Sequence, residues 1–500
     1  MQWFPKLKLR EWLWIVGLTV VYLVLYTRNL TRLPIFVDES LYLRWAQIAW
    51  HDATWRFISL TDGKQPLWMW LAIPFLKFFK DPLLAGRLLN VTCGLVTMLA
   101  SGYGLWLLTG KKSASWWTML AILVSPFLFF YDRFAVVEAM MIMFGVLVFD
   151  LSLLLARTRR LDVSLILGMV TGLAILVKSP SLFWLLLIPA AYLLNLKSWK
   201  DIFSQATLKY LLLVGISWGL AEIIYNVQRL SPWMHVIADK NSFFVVPYRE
   251  IFNEPMRLWN NLLDTFRWHF AYTTIPVFIA GIAGMWLMWR KYPRETIVAK
   301  AWFVLPLLGT VLVARLYSPR YMVFTTPFLL MFVGYALAWI KTLKWRFVAF
   351  TMLSLLPLYL ITRLITDPIH FPFVDVDEGY VNGWSAGNGT KQIADWAVSR
   401  IGTTGKPMTI YTEGTFGILP EGLELYADGR VQGLTIIGVY PVNEIPPKVA
   451  TDHAKTDSET YFILNNTVPK TLSPTLELVA SYPKLRDNPM RLYHVLPTPK

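Results

Sequence analysis

Cysteine is nearly absent from this sequence, and neither internal repeats nor low-complexity segments are evident. The one cysteine, Cys93, lies within an apolar run. A disulfide bond within the chain is therefore excluded, and a cysteine metal site is not expected. No small-residue cleavage site follows the first apolar segment, Trp12–Tyr26, so we interpret this segment as a retained first helix.

Long apolar runs are abundant instead. The chain has 500 residues, of which 55% are hydrophobic, and its mean hydropathy is +0.46. Many of its 24 Trp and 22 Tyr lie near the ends of apolar runs, as in the aromatic belts of membrane proteins. We therefore predict a mainly α, polytopic membrane protein with about eleven transmembrane helices, each crossing a hydrocarbon core of about 30 Å. The predicted spans are 11–27, 82–108, 114–131, 137–155, 161–177, 181–196, 207–227, 271–289, 301–316, 321–340 and 346–364.

The basic residues predict the orientation of these spans. The net charge is +15, but the basic residues lie in short loops between apolar runs, where they orient helices rather than bind nucleic acid. With eleven spans, one side collects most of the loop Lys and Arg, from Lys6 to Arg346. The stretch 66–79 contains Pro66 and Pro74. If it crossed the membrane, the basic loops after residue 80 would no longer lie on the same side as those before it, so we place this stretch in the outer interface. The N-terminus is then cytoplasmic and the tail extracytoplasmic, in the plasma (inner) membrane.

Two domains follow from this topology. Residues 1–366 form the membrane domain, whose first outer loop, 28–81, contains interfacial helices at about 39–50 and 66–79. Residues 367–500 form an extracytoplasmic α/β domain. It is predicted from one amphipathic helix, Thr390–Ile401. Four β-rich runs follow this helix: Met408–Thr412, Glu459–Leu464, Leu476–Ala480 and Arg491–Leu496.

Ionisable residues near a bilayer are costly and are functional candidates by default. In the first loop, Asp38 fits as the N-cap, and Glu39 as a first-turn residue, of an interfacial helix Ser40–Trp50. A carboxylate at such a helix N-terminus is also well placed to act as a base. The sequence leaves both interpretations open.

A second acidic and basic cluster lies at the outer end of the third span. A turn needs polar residues, which accounts for Asp132 and Arg133. It accounts less well for Glu138, which already begins the next apolar run.

Three outer cations, Lys64, Lys178 and Arg320, run against the positive-inside rule. Contact with headgroups suits Lys64, but not a lone Lys or Arg in each of two tight turns. Together the three would form an anion site at the outer surface, where a lipid-linked phosphate is the expected anion. The histidines His51, His235 and His269 show no metal-ligand spacing and are interpreted as interfacial residues.

These motifs, in this order, resemble the polyprenyl-phosphate-sugar-dependent transferases of the GT-C fold. The branch concerned contains the protein O-mannosyltransferases and the lipid A aminoarabinose transferase. The matching elements are Asp38-Glu39 on a juxtamembrane helix, Lys64-Gln65-Pro66-Leu67, Arg133-Phe134-Ala135…Glu138, Lys178, Arg320-Tyr321 and the Trp384-Ser385…Gly387…Gly389 loop. Three positions depart from the pattern. Glu138 replaces the usual Asp, Gly63 replaces a Glu (although Asp62 is adjacent), and Ser179-Pro180 replaces a Gly.

The resemblance implies inverting transfer of a sugar from a polyprenyl-phosphate donor to an acceptor hydroxyl at the outer face of the membrane. Asp38 is expected to be the general base, and Glu39 and Glu138 to orient the acceptor or sugar. The donor phosphate would be held by cations and one tyrosine: Lys64, Lys178, Arg320, Tyr321, Lys240 and Arg249. Supporting roles go to Asp62, Asp132 and Arg133. No cofactor is required, although a divalent ion at Asp38 and Glu138 is an alternative.

The expected partners are the lipid-linked donor, membrane lipids and an acceptor that is a protein, a glycolipid or a glycan. The sequence identifies neither the sugar nor the acceptor. The main alternative is a transporter or lipid flippase, a class that requires charges near the bilayer midplane and paired broken helices. Neither feature is evident in the sequence. A membrane scaffold without catalysis would leave the outer cations unexplained.

Overall fold

A computed structural model of the protein describes residues 6–370, 373, 378–440, 442, 448–468 and 473–497. By its internal contacts the chain divides into two compact units. The membrane unit comprises residues 1–28, 56–70 and 88–365, and the tail unit comprises residues 29–55, 71–87 and 366–500. One boundary between the units lies between Ile365 and Thr366, and the first outer loop is divided between them.

The chain is mainly helical up to residue 366. Its first helices are α1 (Leu9–Thr27), α2 (Val37–His51), α3 (Leu67–Phe78), α4 (Pro82–Thr109), α5 (Lys112–Leu123), α6 (Pro126–Tyr131), α7 (Glu138–Thr158), α8 (Leu161–Ile175) and α9 (Leu182–Leu187). They are followed by α10 (Gln205–Tyr225), α11 (Val236–Phe244), α12 (Pro255–Trp268), α13 (Ile275–Trp289), α14 (Pro293–Val313), α15 (Thr326–Trp339) and α16 (Leu343–Thr366). Helices dominate because a bilayer offers no water to satisfy backbone N–H and C=O groups, which a helix pairs internally.

The protein is an integral membrane protein. Among the described residues, six helices are long and apolar enough to cross a membrane, or seven if the bent pair Pro255–Thr273 and Ile275–Trp289 counts as one span. Shorter apolar helices lie in three further predicted spans, at Leu161–Ile175, Ser179–Leu194 and Val323–Trp339. The mainly helical membrane fold is therefore confirmed, whereas the count of eleven crossings stays a prediction.

Several predicted spans are interrupted, for local reasons. The predicted span 114–131 is two helices, because Ser125 caps α6 through a hydrogen bond from the Leu128 N–H and Pro126 occupies its first turn. Between α12 and α13 the axis bends by 107°, and Thr274 there has a φ of +72°. The π-helical turn His269–Thr273 precedes this bend.

Close helix packing in the membrane unit depends on small residues. A Cβ added to Gly284 on α13 would lie 1.9 Å from the Phe332 carbonyl oxygen of α15. A Cβ on Gly334 of α15 would lie 2.1 Å from the Thr118 hydroxyl of α5. Glycine is needed at both places because the backbones approach each other directly, as is common between membrane helices.

The tail unit contains an α/β domain built on a five-stranded sheet. The strands are β1 (Met408–Glu413), β2 (Leu434–Val439), β3 (Glu459–Leu464), β4 (Leu476–Tyr482) and β5 (Met490–Val495). Their order is β2-β1-β3-β5-β4, with β2, β1 and β3 parallel and β5 antiparallel to both β3 and β4. The associated helices are α17 (Thr390–Thr404), α18 (Leu423–Ala427) and α19 (Lys448–His453). Four strands and α17 were predicted, and β2 was missed.

Helix α2 of the first loop packs against this domain within the tail unit. Gln47 donates to the Leu425 carbonyl at 3.1 Å, and Arg44 forms ion pairs with Glu424 at 3.1 Å and Asp428 at 3.0 Å. Near the other end of α2, the Ser40 hydroxyl lies 3.0 Å from the Gly417 carbonyl. These contacts fix the helix that carries Asp38 to the loops of the sheet.

Candidate active site

A buried ion-pair cluster lies where α7 begins in the membrane unit. The Glu138 carboxylate accepts from the Lys178 ammonium at 2.7 Å and from the Arg320 guanidinium at 2.9 Å, both on the same oxygen. The Glu138 side chain is 1% exposed, whereas Lys178 and Arg320 are 21% and 15% exposed. Three distant parts of the sequence therefore converge on one carboxylate, and both cations are more exposed than the carboxylate that they bind.

Each cation of this cluster is set in a tight turn. Lys178 precedes the short 3₁₀ turn Ser179–Ser181, and Arg320 lies in the 3₁₀ turn Pro319–Tyr321. The Lys178 ammonium also lies 4.9 Å from the centre of the Tyr321 ring, within the range of a cation–π contact. A short turn leaves the backbone little freedom, and the contact with Glu138 then positions the charge at the end of each side chain.

A second cation cluster is centred on Asp62. The Lys240 ammonium lies 2.6 Å from one Asp62 oxygen, and the Lys64 ammonium lies 3.8 Å from the other. Ser179 joins the two clusters: its hydroxyl accepts from Gln65 at 2.7 Å and from Asn241 at 3.2 Å. The residues that directly follow the predicted phosphate-binding Lys64 and Lys240 are therefore hydrogen-bonded to the turn that follows Lys178.

The turn preceding Glu138 is held by a residue that the sequence analysis did not identify. The Asn90 side-chain amide on α4 donates to the carbonyls of Phe134 and Val136, and its oxygen accepts from the Trp68 indole at 2.8 Å. The sequence feature that could have identified Asn90 is that it is a polar side chain inside the apolar run 82–108. Because Asn90 binds two carbonyls of the turn, it helps to position Glu138.

Asp132 and Arg133 do not join the Glu138 cluster through their described contacts. Asp132 is 1% exposed and accepts from the Tyr22 hydroxyl at 3.2 Å. Arg133 donates to the Arg28 carbonyl and lies over the Phe129 ring, 4.6 Å from its centre. These contacts support roles in packing the helix bundle.

The chain resembles known membrane glycosyltransferases in both sequence and fold. Residues 56–252 match the family Dolichyl-phosphate-mannose-protein mannosyltransferase. A structure of ArnT from Cupriavidus metallidurans in the apo state is 15% identical, with a TM-score of 0.62, over 97% of this chain and 99% of that one. A second ArnT structure, bound to undecaprenyl phosphate, has a TM-score of 0.58 at the same identity and coverage. The fold is the GT-C fold. The resemblance predicted from the sequence is confirmed.

A comparison with curated proteins finds no match to this chain. The family match covers less than half of the sequence, and it includes Asp62, Lys64, Glu138, Lys178 and Lys240. Both clusters described above thus have most of their members inside the matched region. Asp38 and Arg320 lie outside it.

In this GT-C chain Asp38 lies in the first turn of α2. The helix begins at Val37, so its N-cap is Phe36, and the prediction that Asp38 is the N-cap was wrong. The residue that caps is Glu39, whose carboxylate accepts from the Phe36 N–H at 3.0 Å. Asp38 is half-buried, and it lies close to the positive end of the helix dipole.

Glu39 forms a fully buried ion pair with Arg87 of α4, which the sequence analysis also missed. The Arg87 guanidinium donates to both Glu39 oxygens, at 2.8 and 2.7 Å. It also donates to the carbonyls of Leu30, Leu33 and Pro34. These contacts tie the chain entering α2 to α4, so Glu39 is better suited to positioning Asp38 than to contacting a substrate.

Replacing Arg87 with Ala should cost about 3–5 kcal/mol of stability, because it leaves the Glu39 charge buried without its partner. The measurement is the unfolding temperature of the purified protein in detergent. Arg430→Ala is the matched control, because the Arg430–Asp395 pair is about two-fifths exposed on both sides and should contribute about 1 kcal/mol or less. Equal shifts for the two variants would contradict a structural role for the Arg87–Glu39 pair.

The remaining predicted residue, Arg249, lies outside both cation clusters. It is exposed, and its guanidinium donates to the hydroxyl of the neighbouring Tyr248 at 2.7 Å. As for metals, a group of three or more His, Cys, Asp or Glu side chains that could hold an ion was not found within the described ranges.

Glu421 is a further acidic residue of the tail unit, in the segment that packs against α2. Its carboxylate accepts from the Gly417 N–H at 2.8 Å, and Gly417 in turn contacts Ser40 through its carbonyl. Burial raises the pKa of Glu421 to about 7. The ordinary pKa of this group is 4.5, so the folded state binds the proton of Glu421 more tightly than the unfolded state does.

The segment around Glu421 should consequently lose stability as the pH rises from about 4.5 through 7, because the buried carboxyl group becomes charged. Hydrogen exchange of residues 418–427 in the full chain, corrected for intrinsic rates, should show weaker protection at pH 8 than at pH 5. Glu421→Gln should remove this difference, and Glu477→Gln on exposed β4 should leave it intact. A pH difference that persists in Glu421→Gln would assign the effect to another group.

Proposed function

We propose that the protein is an inverting glycosyltransferase that moves a sugar from a polyprenyl-phosphate donor to an acceptor hydroxyl at the outer face of the membrane. The observation that carries the proposal is the convergence of Lys178 and Arg320 on the buried carboxylate of Glu138. The similarity to ArnT, which has been solved bound to undecaprenyl phosphate, supports a polyprenyl-phosphate donor.

The lipid-linked phosphate matches the charge of the two clusters. Four cationic side chains, Lys64, Lys178, Lys240 and Arg320, are held close together by the carboxylates of Asp62 and Glu138, and such a concentration of basic groups suits an anion. A guanidinium group offers a planar pair of donors to phosphate oxygens, and an ammonium group offers a compact point charge. We assign Arg320 and Lys178 to the donor phosphate, together with the Tyr321 hydroxyl, and Lys64 and Lys240 to its outer side.

The reaction is a single displacement at the anomeric carbon. The acceptor oxygen forms a bond to this carbon while the bond from the carbon to the phosphate oxygen breaks, so the configuration inverts. The Asp38 carboxylate takes the proton of the acceptor hydroxyl as general base. The departing phosphate gains negative charge, which fixed cations stabilise in a site with little water.

Glu138 acts on the cations in this proposal. By binding Lys178 and Arg320 through one oxygen, it holds two like charges together that would otherwise repel each other. Glu39 acts in the same indirect way on Asp38, through the capped first turn of α2. We favour a reaction without a metal ion, in which neither carboxylate is a ligand.

The test uses purified protein with a panel of polyprenyl-phosphate sugars and measures donor consumption and release of polyprenyl phosphate. We expect one donor to be consumed, with turnover unchanged by EDTA. Loss of turnover in EDTA, restored by a divalent ion, would replace the metal-free reaction. Failure of every donor, with folded protein and a range of acceptors, would overturn the proposed function.

The second candidate, a transporter or flippase, gains support from two features that the sequence analysis did not show. Asp150 lies in the middle of α7, it is buried, and its Oδ1 atom has no hydrogen-bond partner in the described part of the chain. The bend of 107° between α12 and α13 is a broken helix. Transporters of this kind carry such breaks in pairs, one in each half. A lipid-flipping assay in proteoliposomes distinguishes the two functions, because a transferase consumes its donor without moving it across the bilayer.

A further inference from the structure

The sheet of the tail unit has a topological switch point between β1 and β3. The two strands are neighbours and parallel, so their carboxyl ends lie at the same edge. The chain leaves β1 towards β2 on one side and leaves β3 towards β4 on the other. Connections that diverge in this way leave a crevice at the carboxyl ends of the strands, which is where ligands bind in open α/β sheets.

This crevice is already closed to anions. Its backbone N–H groups, on Asn465, Asn466 and Thr467 after β3, donate to the Glu413 carboxylate at the end of β1, at 2.6, 3.0 and 3.2 Å. The Thr467 hydroxyl donates to the other Glu413 oxygen at 2.6 Å. Such a run of N–H groups would otherwise bind a phosphate, so the protein's own carboxylate excludes nucleotides and other anions from this position.

Lys484 is a second charged residue of the crevice, beside the Glu413 carboxylate. Its ammonium donates to the backbone carbonyl and the side-chain oxygen of Asn465, both at 2.8 Å, and to the Gly383 carbonyl at 2.6 Å. Burial lowers the pKa of Lys484 to about 8. The charge is thus engaged by neutral oxygens of the protein and does not offer an open anion site.

Exposed aromatic rings flank the crevice. Trp384 is 59% exposed, and its carbonyl accepts from the Asn465 side-chain amide at 2.7 Å, so it lies beside the loop after β3. Phe416, in the loop after β1, is 47% exposed. The Trp384 ring lies against Gly417, the residue after Phe416. A Cβ atom added to Gly417 would lie 3.2 Å from the Cζ3 atom of Trp384.

Asn466, in the loop directly after β3, adds a polar side chain to the crevice. The Asn466 Oδ1 atom is shielded from water and has no hydrogen-bond partner in the described ranges. A buried amide oxygen without a donor is costly, which favours a rotation of the half-buried Asn466 side chain that brings this oxygen to the hydroxyl group of a ligand. The crevice thus combines aromatic faces, amide groups and a filled anion position.

We propose that the crevice at the ends of β1 and β3 binds an uncharged saccharide. A pyranose ring presents a face of C–H groups that stacks on Trp384, while its hydroxyl groups pair with the Asn466 amide. The filled Glu413 position explains why the ligand is uncharged. This site lies within the tail unit and does not depend on the transfer reaction proposed above.

The test is equilibrium binding to the full-length protein in nanodiscs, without any donor, followed by saturation-transfer NMR. The probes are maltotetraose, cellotetraose, α-mannotetraose and N-acetylated chitotetraose. We expect at least one of them to bind with a Kd of about 1 mM, as a few stacking and hydrogen-bond contacts allow. Trp384→Ala should weaken this binding by about tenfold, and Trp384→Phe should restore most of it.

Tyr440→Ala is the matched control. Tyr440 is 77% exposed and follows β2 at the same edge of the sheet, but it lies on the far side of β1 from the switch point, so its replacement should leave the Kd unchanged. Absence of binding by all four probes would overturn the proposal, as would binding that Trp384→Ala does not weaken. Trp384-dependent binding of an uncharged Ser/Thr-rich peptide or of inorganic phosphate, in place of the saccharides, would also overturn it.

Discussion

Replacing Asp38 with Asn should reduce the turnover number of sugar transfer by about 10²–10⁴-fold, the usual contribution of a general base. Asparagine keeps the size and polarity of the side chain but cannot take a proton from the acceptor hydroxyl. Because Asp38 lies in the first turn of α2 while Glu39 performs the capping, the substitution should leave the helix intact. The measurement is kcat with the donor identified in the panel, together with the pH profile, whose acidic limb should disappear.

Asp52→Asn is the control for this experiment. Asp52 lies at the opposite end of α2, where it is exposed and accepts from the Thr54 N–H and hydroxyl. Its replacement should leave kcat within about twofold, since surface changes away from a site have small effects. Turnover by Asp38→Asn near the wild-type rate, with an unchanged unfolding temperature, would remove Asp38 as the base.

The second large effect is expected from Arg320. Arg320→Ala should lower kcat by about 10²–10³-fold, because a fixed donor that stabilises charge developing on a leaving group contributes about 3–4 kcal/mol. The fall in kcat should exceed any rise in KM, since the leaving phosphate gains charge only as the bond breaks. Single-turnover kinetics with a labelled donor separate the two quantities.

Two further variants show whether charge or structure explains this loss. Arg320→Lys keeps the positive charge but loses the planar pair of donors, so it should recover only part of the rate. Arg249→Ala removes an exposed arginine that lies outside both cation clusters, and it should leave kcat unchanged. If Arg249→Ala were as damaging as Arg320→Ala, or if Arg320→Ala retained full turnover, the assignment of Arg320 to the donor phosphate would fail.

The tail shows where sequence patterns succeed and where they fail. Four strands were predicted because their runs are rich in β-branched and aromatic residues between turn residues. The missed strand, β2, has the same character in Leu434–Val439, but Gly438 interrupts it. A Cβ at that position would lie 2.5 Å from the Gly414 carbonyl oxygen, so the glycine permits a close contact rather than ending the strand.

The membrane unit shows a different limit. Glu138, Lys178 and Arg320 were each singled out because a charge near a bilayer needs a reason. That reasoning identified the residue types, but not the single oxygen atom on which the two cations converge. Asn90 and Arg87 escaped notice because they are isolated polar residues within the long apolar helix α4, and their side-chain partners, Trp68 and Glu39, lie at sequence separations that no local pattern links.

The sequence by itself determined that this is a helical membrane protein with an α/β tail, and which charged residues deserve attention. It could do so because placing polar groups in lipid is costly, and membrane-spanning segments are therefore long apolar runs that can be recognised from composition and spacing. Only the tertiary structure decided that Glu138 pairs with Lys178 and Arg320, that Asp62 joins Lys64 to Lys240, and that Glu413 fills the anion position of the tail sheet. These contacts join residues far apart in the chain, and their distances follow from how helices and strands pack, which no local pattern specifies.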